Sequence, residues 1–151
     1  MSSSAPQPAN ADPASRDGFN LRMLGDDMLK RKAMVLQDEQ LQRYFPNLQA
    51  RGWHLRPGEP SSTLEKHFDF SSEDKLASWT AQMLAYMQRA NHHAQLKIMY
   101  KSVDVQTNTH RAYTPKEPKL ARPALSNKDI QLAYHAEQLL EESTLPEAER
   151  T

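Results

Sequence analysis

The chain has 151 residues, 38% of them hydrophobic, with 19 basic and 19 acidic side chains and no cysteine. That length holds one modest core, the balanced charge gives no footing for nucleic acid or an anionic membrane as partner, and the missing cysteines exclude a disulfide scaffold and thiolate metal sites. With a mean hydropathy of −0.82 and no apolar run near the roughly 18 residues of a membrane span, a soluble protein with much exposed chain is expected, cytoplasmic, with nucleus or organelle left open.

Residues 1–18 are rich in Ser, Ala and Pro without an apolar stretch, which predicts a disordered tail and not a secretory signal. Residues 19–36 mix Leu and Met with charge and predict a short helical extension. One domain is expected over 37–142, with a flexible C-terminus at 143–151. It opens with a helix from Asp38, acidic in its first turn, with Leu41, Phe45 and Leu48 on one face and Gly52 where a C-cap is wanted. Pro46 should kink or split that helix.

A β-hairpin follows: a strand at Trp53–Arg56, a turn at Pro57-Gly58-Glu59-Pro60, and a strand from Thr63 to Phe70. In the second strand Leu64, Phe68 and Phe70 take one face and Glu65, His67 and Asp69 the other. The strongest helix pattern runs over 73–90, with Ser71 and Asp74 as a capping box and Leu76, Trp79, Met83, Leu84 and Met87 as its apolar face. A methionine stripe of this kind reads as core or subunit interface ahead of a cofactor box. A strand over 101–109 alternates Val103, Val105 and Thr107 against Asp104, Gln106 and Asn108. After His110, three prolines and a basic bias predict a long loop over 111–124. A last helix then opens with Ser126 and Asp129 as its box. Strands in hairpin-like order with helices between and after them predict an α+β fold, helices on one face of an antiparallel sheet.

Three of the six histidines fall within 20 residues: His92 and His93, just past the long helix, and His110, at a strand end. Histidine ligands on regular elements favour i, i+2 or i, i+4 spacing, which these three lack, so a metal site is the weaker reading. Structural, hydrogen-bonded imidazoles are the plain reading for His54, His67 and His135. For the 92/93/110 group acid–base chemistry fits best, since near neutral pH one imidazole can give a proton while another takes one, with no metal or organic cofactor.

The segment "NHHAQLKIMYKSVDVQTNTH" followed by "LSNKDIQLA" resembles the signature of the pterin-4a-carbinolamine dehydratases, also known as dimerisation cofactors of a homeodomain transcription factor. The matching residues are His92-His93, Tyr100, Thr109-His110 and Leu125-Ser126-x-x-Asp129-x-x-Leu132-Ala133, with "FPNLQARGW" and "LEKHFDF" upstream. The resemblance implies helices packed on one face of a four-stranded antiparallel sheet, a homodimer or homotetramer, and dehydration of 4a-hydroxytetrahydrobiopterin to quinonoid dihydrobiopterin. It makes the pterin a substrate and implies no cofactor. It places His92, His93 and His110 around the pterin, His92 and His110 as the proton-transfer pair and His93 mainly binding. Asn91, Asn108, Thr109 and Arg111 would line the pocket, and Asp129 would act chiefly as a helix cap.

Three positions depart from the family pattern. Ala94 stands where the family has proline, which leaves the histidine pair less pre-organised. Asn91 replaces a residue that is often acidic, and the 111–124 segment is about ten residues longer than usual, read here as a tolerated insertion. These departures support the alternative of a non-catalytic module that oligomerises and acts as a transcriptional coactivator or assembly chaperone through a protein partner.

Overall fold

The structure, a computed structural model, describes residues 32–144. The expected tail at 1–18, most of the expected helix at 19–36 and all but the first two residues of the expected flexible C-terminus lie outside that range.

Helix α1 (Asp38–Ala50) starts where the Gln37 backbone N–H donates to Gln40 Oε1 at 2.9 Å, and it runs unbroken through Pro46. It ends at Gly52, whose φ of +104° needs a residue without Cβ strain, and Trp53 N–H closes the end on Leu48 O at 3.0 Å. Strands β1 (His54–Arg56) and β2 (Thr63–Asp69) pair antiparallel, with Leu55 opposite Leu64. Helix α2 (Glu73–Ala90) is capped by Ser72, whose hydroxyl accepts from Lys75 N–H at 3.2 Å, one residue later than the Ser71 cap the sequence suggested. Leu76, Trp79, Met83 and Met87 are buried along its inner stripe, joined by Thr80, Tyr86 and Ala90. Leu84, expected on that stripe, lies at its margin and is exposed.

Strands β3 (Gln95–Ile98) and β4 (Ser102–Thr107) complete a four-stranded antiparallel sheet in the order β1-β2-β4-β3. Strand β3 is an addition to the sequence reading, which placed a single strand over 101–109. Leu64, Phe68, Val103 and Val105 share the inner face, and the register sets Phe68 opposite Val103 and Lys66 opposite Val105. Leu48 of α1, Trp79 and Met83 of α2, and Leu132 and Ala136 of α3 (Asn127–Thr144) cover that face. The fold is therefore α+β, with helices on one side of the sheet. Glu137 of α3, nearly buried, accepts from Trp53 Nε1 at 2.8 Å and Lys66 Nζ at 2.6 Å, which ties the sheet to α3 through charge-assisted bonds.

The expected 111–124 loop is instead a β-hairpin. Strand β5 (Thr109–Thr114) turns at Pro115-Lys116 into β6 (Glu117–Ala124), a two-stranded unit beside the main sheet. Pro118 and Pro123 argued against a strand, but β6 pairs on one side only, and an edge strand tolerates residues with no N–H to donate. Residues 32–36, expected to be helical, are extended. Met34 bridges Tyr113 and Val35 bridges Ser126, with Val35 N–H on Tyr113 O at 2.7 Å and Tyr113 N–H on Ala33 O at 3.0 Å. The N-terminal segment is thus a third strip laid along β5.

Candidate active site

Asn91 makes the site possible by ending α2. Its φ of 52° is left-handed, a conformation asparagine accepts more readily than most side chains, and His92 N–H then bonds Met87 O at 3.1 Å. The chain leaves the helix at once, so the two adjacent histidines are freed from the 100° step that would drive them apart. Ala94, where proline was expected, uses the amide proline would lack: its N–H points at Met87 Sδ at 3.2 Å. The turn is therefore pinned by a contact to a sulfur acceptor in place of a ring.

His92 is 7% exposed and faces inward, while His93 is exposed. His92 Nε2 lies 2.8 Å from Asp129 Oδ1 and 3.0 Å from Thr107 Oγ1. Asp129 is fully buried and takes four donors. Its Oδ1 receives His92 Nε2–H and, at 2.5 Å, the Thr107 hydroxyl; its Oδ2 receives the Thr109 hydroxyl at 2.8 Å and Ser126 N–H at 2.9 Å. The bond from Ser126 N–H is the helix-cap half of its work, and the Ser126 hydroxyl reciprocates by accepting from Lys128 N–H at 3.1 Å. The other half holds an imidazole, a role the sequence reading did not assign. A carboxylate can only accept, so the His92 proton sits on Nε2 and Nδ1 is left as the basic nitrogen.

His110 comes from β5, and a β-bulge decides how it sits. Thr109 pairs with Ala124 and Ala112 with Arg122, so β5 carries one residue more than β6 over that interval. Thr109 and Ala112 are buried, and the two residues between them, His110 and Arg111, are both exposed. Strict alternation would have sent Arg111 to the opposite side.

Asn91, His92, His93, Asn108, Thr109, His110 and Arg111 all line one cavity of about 750 Å³, within the usual size range of small-ligand sites. Thr109 contributes wall but not a free hydroxyl, because its Oγ1 is held between Asp129 and Ser126. Tyr100 lies outside, 71% exposed in the turn after β3. A smaller cavity of about 130 Å³ shares His93, Asn108 and His110.

Lys32, Ala33, Arg89, Ala90 and Lys128 complete the lining and were missed in the sequence. Arg89 and Ala90 flank Asn91 and were within reach of inference; Lys32 was not, since only the strip along β5 brings it there. Lys128 is buried, its ammonium on Ala90 O at 3.2 Å, and desolvation lowers its pKa. The remaining histidines lie elsewhere. His67 sits on the outer sheet face between Asp104 (2.5 Å) and Asp69 (3.0 Å), whose hydrogen bonds raise its pKa. His54 meets Glu65 at 3.3 Å, and His135 stacks on Tyr86. Among the described residues no three His, Asp or Glu side chains form a metal-binding group.

Known proteins resemble this chain in sequence and in fold. The sequence model described as pterin 4 alpha carbinolamine dehydratase matches residues 34–139. A solved structure, a transcriptional coactivator/pterin dehydratase from Brucella melitensis, is 20% identical, with a TM-score of 0.53 over 70% of this chain and 97% of that one; at that identity the likeness is one of fold. The match spans α1 through most of α3 and every histidine of the cavity, and the chain belongs to the pterin 4 alpha carbinolamine dehydratase family.

Proposed function

We propose that the protein dehydrates a 4a-hydroxytetrahydropterin to the quinonoid dihydropterin by histidine acid–base catalysis. The observation that carries this reading is the convergence of His92, His93 and His110 on one cavity, with His92 Nε2 held by a buried carboxylate. Loss of water from the carbinolamine needs a proton delivered to the departing 4a-hydroxyl and a proton removed from N5. His110, exposed on the bulge, delivers the first and leaves as neutral imidazole. His92 receives the second at Nδ1, and Asp129 stabilises the imidazolium that forms. Protons and charge balance: one His is discharged as the other is charged, and water is the only other product. His93 and Asn108 orient the ring from the neighbouring wall. The working assembly is a homodimer or homotetramer, and the pterin enters as substrate with no cofactor.

The test is dehydration of freshly generated 4a-hydroxytetrahydropterin followed by ultraviolet absorbance against the uncatalysed background. Wild type should accelerate it, and His92→Ala and His110→Ala should each lose about 10²- to 10⁴-fold. A folded wild-type protein that leaves the background rate unchanged refutes catalysis and returns the chain to the oligomerisation-module reading, with the β5–β6 hairpin as the first place to seek a protein partner.

A further inference from the structure

The cavity carries more positive charge than a neutral pterin can use. The whole chain balances 19 basic against 19 acidic residues, yet among the described residues the cavity lining contains Lys32, Arg89, Arg111 and Lys128 and not one carboxylate. Among the described residues, no Asp or Glu oxygen lies within 4 Å of the charged nitrogens of Lys32, Arg89 or Arg111. Cations scattered on a surface carry no such meaning, but two of these are placed by specific structure. The bulge in β5 turns Arg111 to the same side as His110. The strip along β5 delivers Lys32, whose ammonium is then fixed by Pro118 O at 2.8 Å and by the Tyr113 ring, 3.8 Å from its centroid. Both placements depend on the hairpin, and Lys32 lies outside the segment that the family's sequence model matches.

We infer that the substrate is a pterin bearing an anionic substituent, a phosphate or a carboxylate, received at the rim of the cavity by Lys32, Arg89 and Arg111. This rests on the pterin reading of the same site and specifies it. Lys32 comes from the N-terminal strip, Arg111 from the neighbouring β5 and Arg89 from the last turn of α2, so the three reach the cavity from different elements. A pre-positioned ammonium and two planar guanidinium forks suit a multidentate oxyanion.

The test compares three ligands with one ring system: 6-hydroxymethylpterin (neutral), its phosphate monoester, and pterin-6-carboxylate. Binding is followed by quenching of pterin fluorescence at low and at high salt. At low salt at least one anionic ligand should bind about tenfold or more tighter than the neutral one, the gain expected of a single good charge contact, and high salt should erase most of that gain. A larger gain for the ester assigns a phosphate, and a larger gain for the carboxylate assigns a carboxylate. In Lys32→Ala and Arg111→Ala the preference ratio should fall towards one and Lys32→Arg should restore part of it, while Lys97→Ala, on the outer sheet face, should keep it. Unfolding curves of each variant exclude collapse as the cause. Equal binding of neutral and anionic ligands overturns the inference and leaves the pterin reading standing. Failure of all three ligands to bind a folded protein overturns the pterin reading and this inference with it.

Discussion

Asp129→Asn isolates what the buried carboxylate does, because it preserves shape and removes only charge and acceptor capacity. Of the four donors on Asp129, Ser126 N–H is immobile and must keep an oxygen, so the amide oxygen takes the Oδ2 place and the NH₂ group faces His92 Nε2 and Thr107 Oγ1. Two N–H groups cannot point at each other. The Thr107 hydroxyl rotates to accept, and His92 shifts its proton to Nδ1 so that Nε2 can accept as well. Nδ1 then changes from acceptor to donor. All four charge-assisted bonds (~1.5–3 kcal/mol each) become neutral ones (~0.5–1.5), partly offset because a carboxylate is no longer buried, so the net cost is about 2–3 kcal/mol of stability, a fall in Tm on the order of 10 °C for a domain of this size. Fold should survive while catalysis drops by a factor on the order of 10² to 10⁴, the value of a positioned base. Long-range ¹H–¹⁵N spectra of the imidazole distinguish Nδ1–H from Nε2–H directly, alongside urea unfolding and the dehydration rate. If His92 in the variant is still protonated on Nε2, or if the rate is that of wild type, the argument about the tautomer is wrong.

Two further outcomes are expected. His135, desolvated against Tyr86 at a 4.1 Å ring separation and opposed by Arg89, has its pKa lowered from 6.5 to about 4. A folded-state pKa below the unfolded one means that stability is complete above pH 6.5 and is lost as pH falls towards 4, by at most about 3 kcal/mol; His135→Phe should flatten the urea midpoint between pH 4.5 and 7, and an unchanged slope would assign the acid sensitivity elsewhere. Glu137→Ala should cost about 3–5 kcal/mol by stranding Lys66 and the Trp53 N–H, seen as a lowered midpoint in Trp fluorescence, whereas Lys66→Met with Glu137→Leu should recover most of it; a single variant as stable as wild type would show the pair to be dispensable.

How far the fold could be read from the residues depended on how much of each element faces the core. Helix α2 buries a full stripe and strand β2 a full face, so the 3.6 and 2.0 periods were visible. Strand β3 is an edge with most of its side chains exposed, and it left no such pattern. The β5–β6 hairpin was hidden by its prolines, which mark a break in a central strand but not in one with a free edge. The three histidines were legible because they fall within 20 residues of one another. Lys32 was not, because its place depends on backbone pairing with a distant strand, and a single lysine among 19 basic residues carries no local signal. Asp129 was found for one of its two roles, since a capping box is a local spacing and an imidazole partner from another turn is not.

The bulge between Thr109 and Ala112 carries a different lesson. What places an imidazole and a guanidinium side by side on β5 is a count of residues, not their identity. Adding one residue to the facing stretch of β6, so that the two strands pair one to one, would leave every side chain of β5 intact and still turn one of the two away from the cavity. Length variation in a single strand is therefore a route by which a fold of this kind can gain or shed a charge next to its cavity histidines, with no substitution in the site itself.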